Sequence, residues 1–135
     1  MTTRTIVNGA FPIIPYRDPR AALAWLTRCF DARVTAVHPP DPAEPLVHAE
    51  VVVGTGNVAP TLWADDGNPF HFEGPIAVYV AVDDPDALHA HVAAAGAEIV
   101  MGLTDQDYGS REFAARDCDG NVWCFGTYRP EIPAP

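Results

Sequence analysis

Lysine is missing altogether from this chain of 135 residues, and serine occurs once, at Ser110. The eight cationic residues are all arginine, against eighteen acids, for a formal net charge of -10. Such a balance repels phosphate backbones and argues against nucleic-acid partners. The lone serine sits in no nucleophile-elbow motif, so a serine hydrolase is not indicated. Cysteine is sparse too: Cys29, Cys118 and Cys124 match no CxxC or zinc spacing, and their odd number points to a reduced, cytoplasmic setting. No apolar run approaches the roughly eighteen residues of a membrane span. No charged-then-apolar leader opens the chain. The expectation is one cytoplasmic domain, long enough to bury a core without covalent staples.

What is present is a pattern that occurs twice. Asp18-Pro19 fits a helix start, with Asp as N-cap and Pro at the first helical position. Ala22, Trp25, Leu26, Cys29 and Phe30 follow at helical spacing and make one apolar stripe. Asp31 to Val37 leads into a strand, and the prolines between His38 and Pro45 require an irregular loop. Leu46 to Val53 and Val58 to Trp63 read as paired strands around Gly54-Thr55-Gly56-Asn57. After a polar linker over about 65–75, Ile76 to Val82 reads as a strand and Asp84-Pro85 repeats the helix start. Leu88, Val92 and Ala95 make the second stripe, and Gly96 stops that helix.

The chain then reaches its most informative stretch, Tyr108 to Tyr128. Asp117, Asp119, Gly120 and Asn121 either bond their own backbone or accept positive φ, so they close a hairpin. Period two along the second arm places Val122, Cys124 and Gly126 on one face and Trp123 and Phe125 on the other. The aromatic face needs a covering helix. The small-residue face leaves room for a hollow.

The fold class is therefore α+β: two βαβββ modules, about 10–66 and about 76–128, in one domain. A single unit has a sheet with one face under its helix and the other bare. Pairing two such half-barrels encloses the bare faces around a cleft, where a ligand site is expected.

Asp18, Ala22, Trp25-Leu26, Phe30, Val80 to Asp84, Ala94 to Glu98, Tyr108-Gly109 and Arg116 to Trp123 together resemble the vicinal oxygen chelate superfamily. That group includes glyoxalase I, extradiol dioxygenases, fosfomycin resistance enzymes and bleomycin-resistance drug-binding proteins. The likeness spans about residues 10–128, although Cys118 stands where the family usually has Pro. Its fold hosts lyases, oxygenases and binders alike. The resemblance implies four inward metal ligands from the first and last strands of each module. Carried over, they fall near Phe11, within Thr61 to Trp63, at Ala77 and at Cys124. None is His, Glu or Gln. A catalytic divalent ion needs about three protein ligands, so no metal and no cofactor are expected.

Other candidates are thinner. His48 and Glu50 share a strand face but lack a third ligand, His89 and His91 point apart on one helix, and His38 and His71 lie in loops. Asp117-x-Asp119-Gly120 lacks the ligand series of a calcium loop and reads as a turn. Cys124 has no partnering His and reads as a small buried residue. Aromatic residues at strand ends and in the linker are more telling. Phe11, Trp63, Phe70, Phe72, Tyr79 and Tyr108, with Glu112 nearby and Cys124 beneath, are the expected ligand-binding residues. Their rings suit planar or cationic molecules. Phe70 and Phe72 serve equally as linker hydrophobes at a subunit interface.

The resulting expectation is a homodimeric, metal-independent binder of a small aromatic or cationic molecule. It resembles the bleomycin-resistance type, in which sequestration of a peptide or other aromatic antibiotic protects the host. The competing class is a lyase or dioxygenase with a displaced metal site at His48, Glu50 or His71, or a metal-free isomerase with Glu112 as base.

Overall fold

The computed structural model describes residues 12–54, 56–62 and 75–129. Strand β1 (Ile13–Tyr16), helix α1 (Pro19–Phe30) and strands β2 (Arg33–His38), β3 (His48–Val53) and β4 (Gly56–Leu62) form the first module. Strand β5 (Ala77–Ala81), helix α2 (Pro85–Ala94) and strands β6 (Glu98–Asp105), β7 (Arg111–Arg116) and β8 (Val122–Gly126) form the second. The strand orders match, β1-β4-β3-β2 and β5-β8-β7-β6. In each sheet the opening strand runs parallel to the last, and the remaining neighbours are antiparallel.

Both helices begin as their sequences dictate. The Asp18 carboxylate accepts from Ala21 N at 3.1 Å, and the Asp84 carboxylate accepts from Ala87 N at 3.1 Å. Proline follows each cap, where the missing N–H leaves no bond unmade. Helix α1 buries Ala22, Leu23, Leu26, Cys29 and Phe30. Helix α2 is more weakly amphipathic, with Val92 fully buried and Leu88 and Ala95 at the margin. It ends at Gly96, whose φ of 88° is open to glycine at no steric cost.

One core serves both modules. Ile14, Tyr16, Ala49, Val51 and Val53 of the first sheet join the helix stripes and Val80, Phe113, Ala115, Trp123 and Phe125 of the second. The Phe30 ring lies 5.4 Å from Trp123 and 5.1 Å from Phe125, edge to face in both cases. Each fully buried ring of this size stabilises the fold by roughly 1.5–3 kcal/mol. At the seam the Tyr16 hydroxyl donates to Asp117 Oδ2 at 2.7 Å, and Arg17 N donates to Asp119 Oδ2 at 2.9 Å. The hairpin turn is built as its residues require. Asp117 Oδ1 accepts from the backbone N–H groups of Asp119 and Asn121, each at 2.9 Å.

Several strands depart from the expected bounds, β3 beginning at His48 and β4 at Gly56, inside the expected turn. Strand β6 runs through Gly102 and Thr104 to Asp105, because an edge strand tolerates the polar and glycine residues that weaken its pattern. His38, expected in the proline-rich loop, is instead the last residue of β2, directly opposite His48. The loop closes behind it through Val47 N, which donates to His38 O at 2.9 Å. Because the alternating buried positions of both sheets point into one core, their other faces point away from it. The bare face of the second sheet carries the candidate site.

Candidate functional site

The bare face of the second sheet is laid out by strand register. Tyr79 on β5 pairs with Cys124 on β8, which pairs with Ala114 on β7. One step along lie Ala81, Gly126 and Glu112. The turn between β6 and β7 is pinned by Gln106 N donating to Ser110 O at 2.7 Å, and it delivers Tyr108 and Ser110 to the same face.

Glu112 is the hub. Its side chain is buried, with the residue only 3 % exposed. Oε2 accepts from the Tyr79 hydroxyl at 2.9 Å and from Ser110 Oγ at 2.9 Å, and Oε1 accepts from the Tyr108 hydroxyl. The backbone N–H of Tyr128 donates to the Tyr79 hydroxyl oxygen at 3.1 Å and to Ser110 Oγ at 3.2 Å. The Tyr128 ring then stands perpendicular to two neighbours, 6.3 Å from Tyr79 and 5.8 Å from Tyr108 between centroids. All three tyrosines remain open to solvent, at 41 %, 55 % and 45 % for Tyr79, Tyr108 and Tyr128. The result is an exposed tyrosine cluster tethered to a covered carboxylate.

Gly126 makes this packing feasible. A Cβ there would run into the Tyr79 hydroxyl and stand 3.0 Å from Glu112 Cβ. The small-residue face expected from the sequence is thus the floor under the tyrosines.

The ionisation states follow from these contacts. Burial pushes the Glu112 carboxyl up, but bonds from Tyr108, Tyr79, Ser110 and Gln106 outweigh it, leaving the pKa below its ordinary value. The Tyr108 phenol is pushed up to about 12, first by its bond to Glu112 and then by burial. Tyr79 is also raised, chiefly by burial. Burial and the Glu112 charge push the Cys124 thiol up to about 11. At neutral pH the cluster is one carboxylate beneath neutral phenols and a neutral thiol. With both oxygens already accepting hydrogen bonds, Glu112 is a poor proton acceptor for a substrate.

These findings sort the expected site residues. Tyr79, Tyr108, Glu112 and Cys124 come together, with Glu112 covered by the phenols rather than exposed on a rim. Phe11, Trp63, Phe70, Phe72 and His71 lie outside the described residues. Tyr128 was missed, as was the part played by Ser110. Parity carried the signal for both: Tyr128 continues the series Val122, Cys124, Gly126, and Ser110 precedes Glu112 by two.

The metal positions implied by the resemblance do not fit an ion. Ala77 offers no donor, and Cys124 offers a single thiol where an ion needs about three ligands. Among the described residues, no three His, Cys, Asp or Glu side chains gather so as to hold one. His48 Nε2 stands 3.6 Å from Glu50 Oε1, and the His38 ring stacks on His48 at 6.1 Å. His89 packs on Phe113, and His91 Nε2 lies 3.0 Å from Arg28 O, so both serve the scaffold. No helix among the described residues is long and apolar enough to cross a membrane.

Comparison with known proteins agrees with this architecture. No curated protein sequence matches the chain significantly. Among solved structures, TioX from Micromonospora sp. ML1 is 27 % identical, with 93 % of this chain and 100 % of that one covered at a TM-score of 0.78. A lactoylglutathione lyase from Agrobacterium tumefaciens is 17 % identical over 91 % of this chain and 95 % of its own, with a TM-score of 0.66. A glyoxalase/bleomycin resistance protein/dioxygenase from Nocardioides is 15 % identical over 98 % and 93 %, also at 0.66. At such identities the latter two show a shared fold. The model of the Glyoxalase/Bleomycin resistance protein/Dioxygenase superfamily matches residues 8–125, and the chain belongs to that superfamily.

Proposed function

We propose that the protein is a metal-independent small-molecule binder that sequesters an aromatic or peptide antibiotic, in the manner of the bleomycin-resistance proteins. One observation carries the reading: where the superfamily's metal chemistry calls for ligands, the second sheet has Ala77 and the single thiol of Cys124, beside exposed tyrosine rings. Rings that are presented to solvent while their hydroxyls are held from behind offer flat apolar surface with little conformational entropy left to lose on binding. Protection then works by mass action, with binder in excess of the dissociation constant keeping free ligand low.

The active form in this proposal is a cytoplasmic homodimer. The bare face of each sheet points away from the core its own chain shares, so a facing half-barrel is supplied by a second copy. Analytical ultracentrifugation tests the assembly, and a monomer at working concentration removes this part of the reading.

Thermal-shift screening against aromatic antibiotics tests the binding function. A ligand that binds only the folded state raises the melting temperature with concentration. Tyr108→Ala removes a half-exposed ring and one donor to Glu112, and it is expected to abolish that rise in a protein that remains folded but about 1 kcal/mol less stable. Stoichiometric zinc, nickel, iron or manganese in the purified protein, together with turnover, would instead establish the lyase or dioxygenase class.

A further inference from the structure

Glu112 holds the one feature of this site that the binding reading leaves unexplained. Buried carboxylates are ordinarily paired with a cation, because an isolated charge is costly to remove from water. Here every donor to Glu112 is neutral: three hydroxyls and the Gln106 side chain. Among the described residues no arginine or histidine forms an ion pair with it. The adjacent Arg111 is committed elsewhere, to Asp86 at 2.6 Å and Asp105 at 3.1 Å. The carboxylate is therefore satisfied in hydrogen bonds and unpaired in charge.

What lies over that charge is a cluster of three exposed tyrosine rings. The Tyr128 ring stands at 90° to Tyr79 and 84° to Tyr108. Ring faces attract cations, and donation of a phenol proton toward a carboxylate leaves the ring richer in electrons. Beneath them the Glu112 charge acts through a poorly screened, protein-filled path. The chain's acidic balance of -10 adds a long-range bias of the same sign.

We propose that the Tyr79–Tyr108–Tyr128 cluster over Glu112 is a cage for an organic ammonium group, which supplies the counter-charge that Glu112 lacks. The inference rests on the bare face of the second sheet being the ligand surface, and it specifies the chemistry selected there. The methyl or methylene groups of the cation lie on the ring faces. Its charge is felt by the carboxylate through the phenols, without direct contact. Glu112 is then both a positioning residue for the rings and a selector for positive charge.

The test uses two probes of equal shape, choline and its uncharged isostere 3,3-dimethylbutan-1-ol, titrated into the full-length protein and followed through the tyrosine ring resonances. Choline is expected to shift the resonances of Tyr79, Tyr108 and Tyr128 and to bind at least tenfold more tightly than the alcohol. Glu112→Gln keeps an acceptor for the hydroxyls while removing the charge, and it is expected to erase most of that difference. Tyr128→Leu, whose side chain makes no bond to the carboxylate, provides a second variant and is expected to weaken choline severalfold at unchanged fold. Equal affinity for the two probes, or full choline selectivity in Glu112→Gln, overturns the cation cage but leaves a ligand surface in place. If neither probe nor any aromatic antibiotic perturbs these rings, the binding reading falls with it.

Discussion

The hydroxyl of Tyr16, on the first strand of one module, donates to the Asp117 carboxylate in the last turn of the other across 2.7 Å. Both groups are buried, and the same Oδ2 also accepts from Trp123 Nε1 at 2.9 Å. Burial, and then the Asp117 charge, hold the Tyr16 phenol far above its ordinary pKa, so it stays a donor at any working pH. Tyr16→Phe deletes this one cross-module bond and leaves Asp117 with its other donors. The expected loss is about 1–2 kcal/mol, read from urea unfolding, with ligand affinity unchanged. No loss of stability would show that the seam is held by its other contacts, the Phe30 rings and the Arg17–Asp119 bond among them.

Gly126→Ala places a methyl group against the Tyr79 hydroxyl and Glu112. Overpacking of this kind costs roughly 1–3 kcal/mol. Unlike Tyr16→Phe, it is expected to lower stability and ligand affinity together, because the tyrosine cluster must shift to admit the methyl. Calorimetric titration beside urea unfolding separates the two effects.

The Glu112 carboxyl sits below its ordinary value of 4.5 in the folded protein. A depressed folded pKa gives stability that is present above the unfolded pKa and is lost as pH falls through the folded one. Urea midpoints are therefore expected to drop as the pH is taken below the ordinary carboxylate range. Glu112→Gln should show a shallower drop over the same interval. Parallel curves for the two proteins would mean that Glu112 titrates alike in both states.

The half-buried Cys124 thiol is pushed up to about 11, first by burial and then by the Glu112 charge. At pH 7 the thiolate fraction is about one in ten thousand. Labelling of Cys124 by a disulfide reagent, followed in Cys118→Ser, is expected to be slow and to accelerate about tenfold per pH unit up to that range. Fast labelling at neutral pH would point to an activated thiol and reopen a nucleophilic role.

Each helix start rests on one carboxylate, Asp18 or Asp84. Asp18→Ala and Asp84→Ala are each expected to cost about 1 kcal/mol. Additivity in the double variant follows if the caps act independently.

Much of this architecture was legible because single residues have few alternatives. Asp-Pro can hardly serve except as a helix start, and Asp117 to Asn121 can hardly serve except as a turn. Trp123 and Phe125 alternate too strictly with Val122, Cys124 and Gly126 to sit anywhere but opposite them. The site was less legible. Glu112 reads in sequence as an ordinary strand acid, since nothing local says that Tyr79, 33 residues away, will cover it. Ser110 gains its meaning only when the turn brings it beside Glu112. Tyr128 had the right parity, but it lies past the last strand, where parity is seldom counted.

In each sheet the strand that opens the module lies beside the one that closes it, β1 against β4 and β5 against β8. A module therefore opens and closes on neighbouring strands, while their parallel sense leaves its two chain ends at opposite ends of the sheet. The helix start at Asp18 recurs 66 residues later at Asp84, and each module closes its own sheet without borrowing a strand from the other.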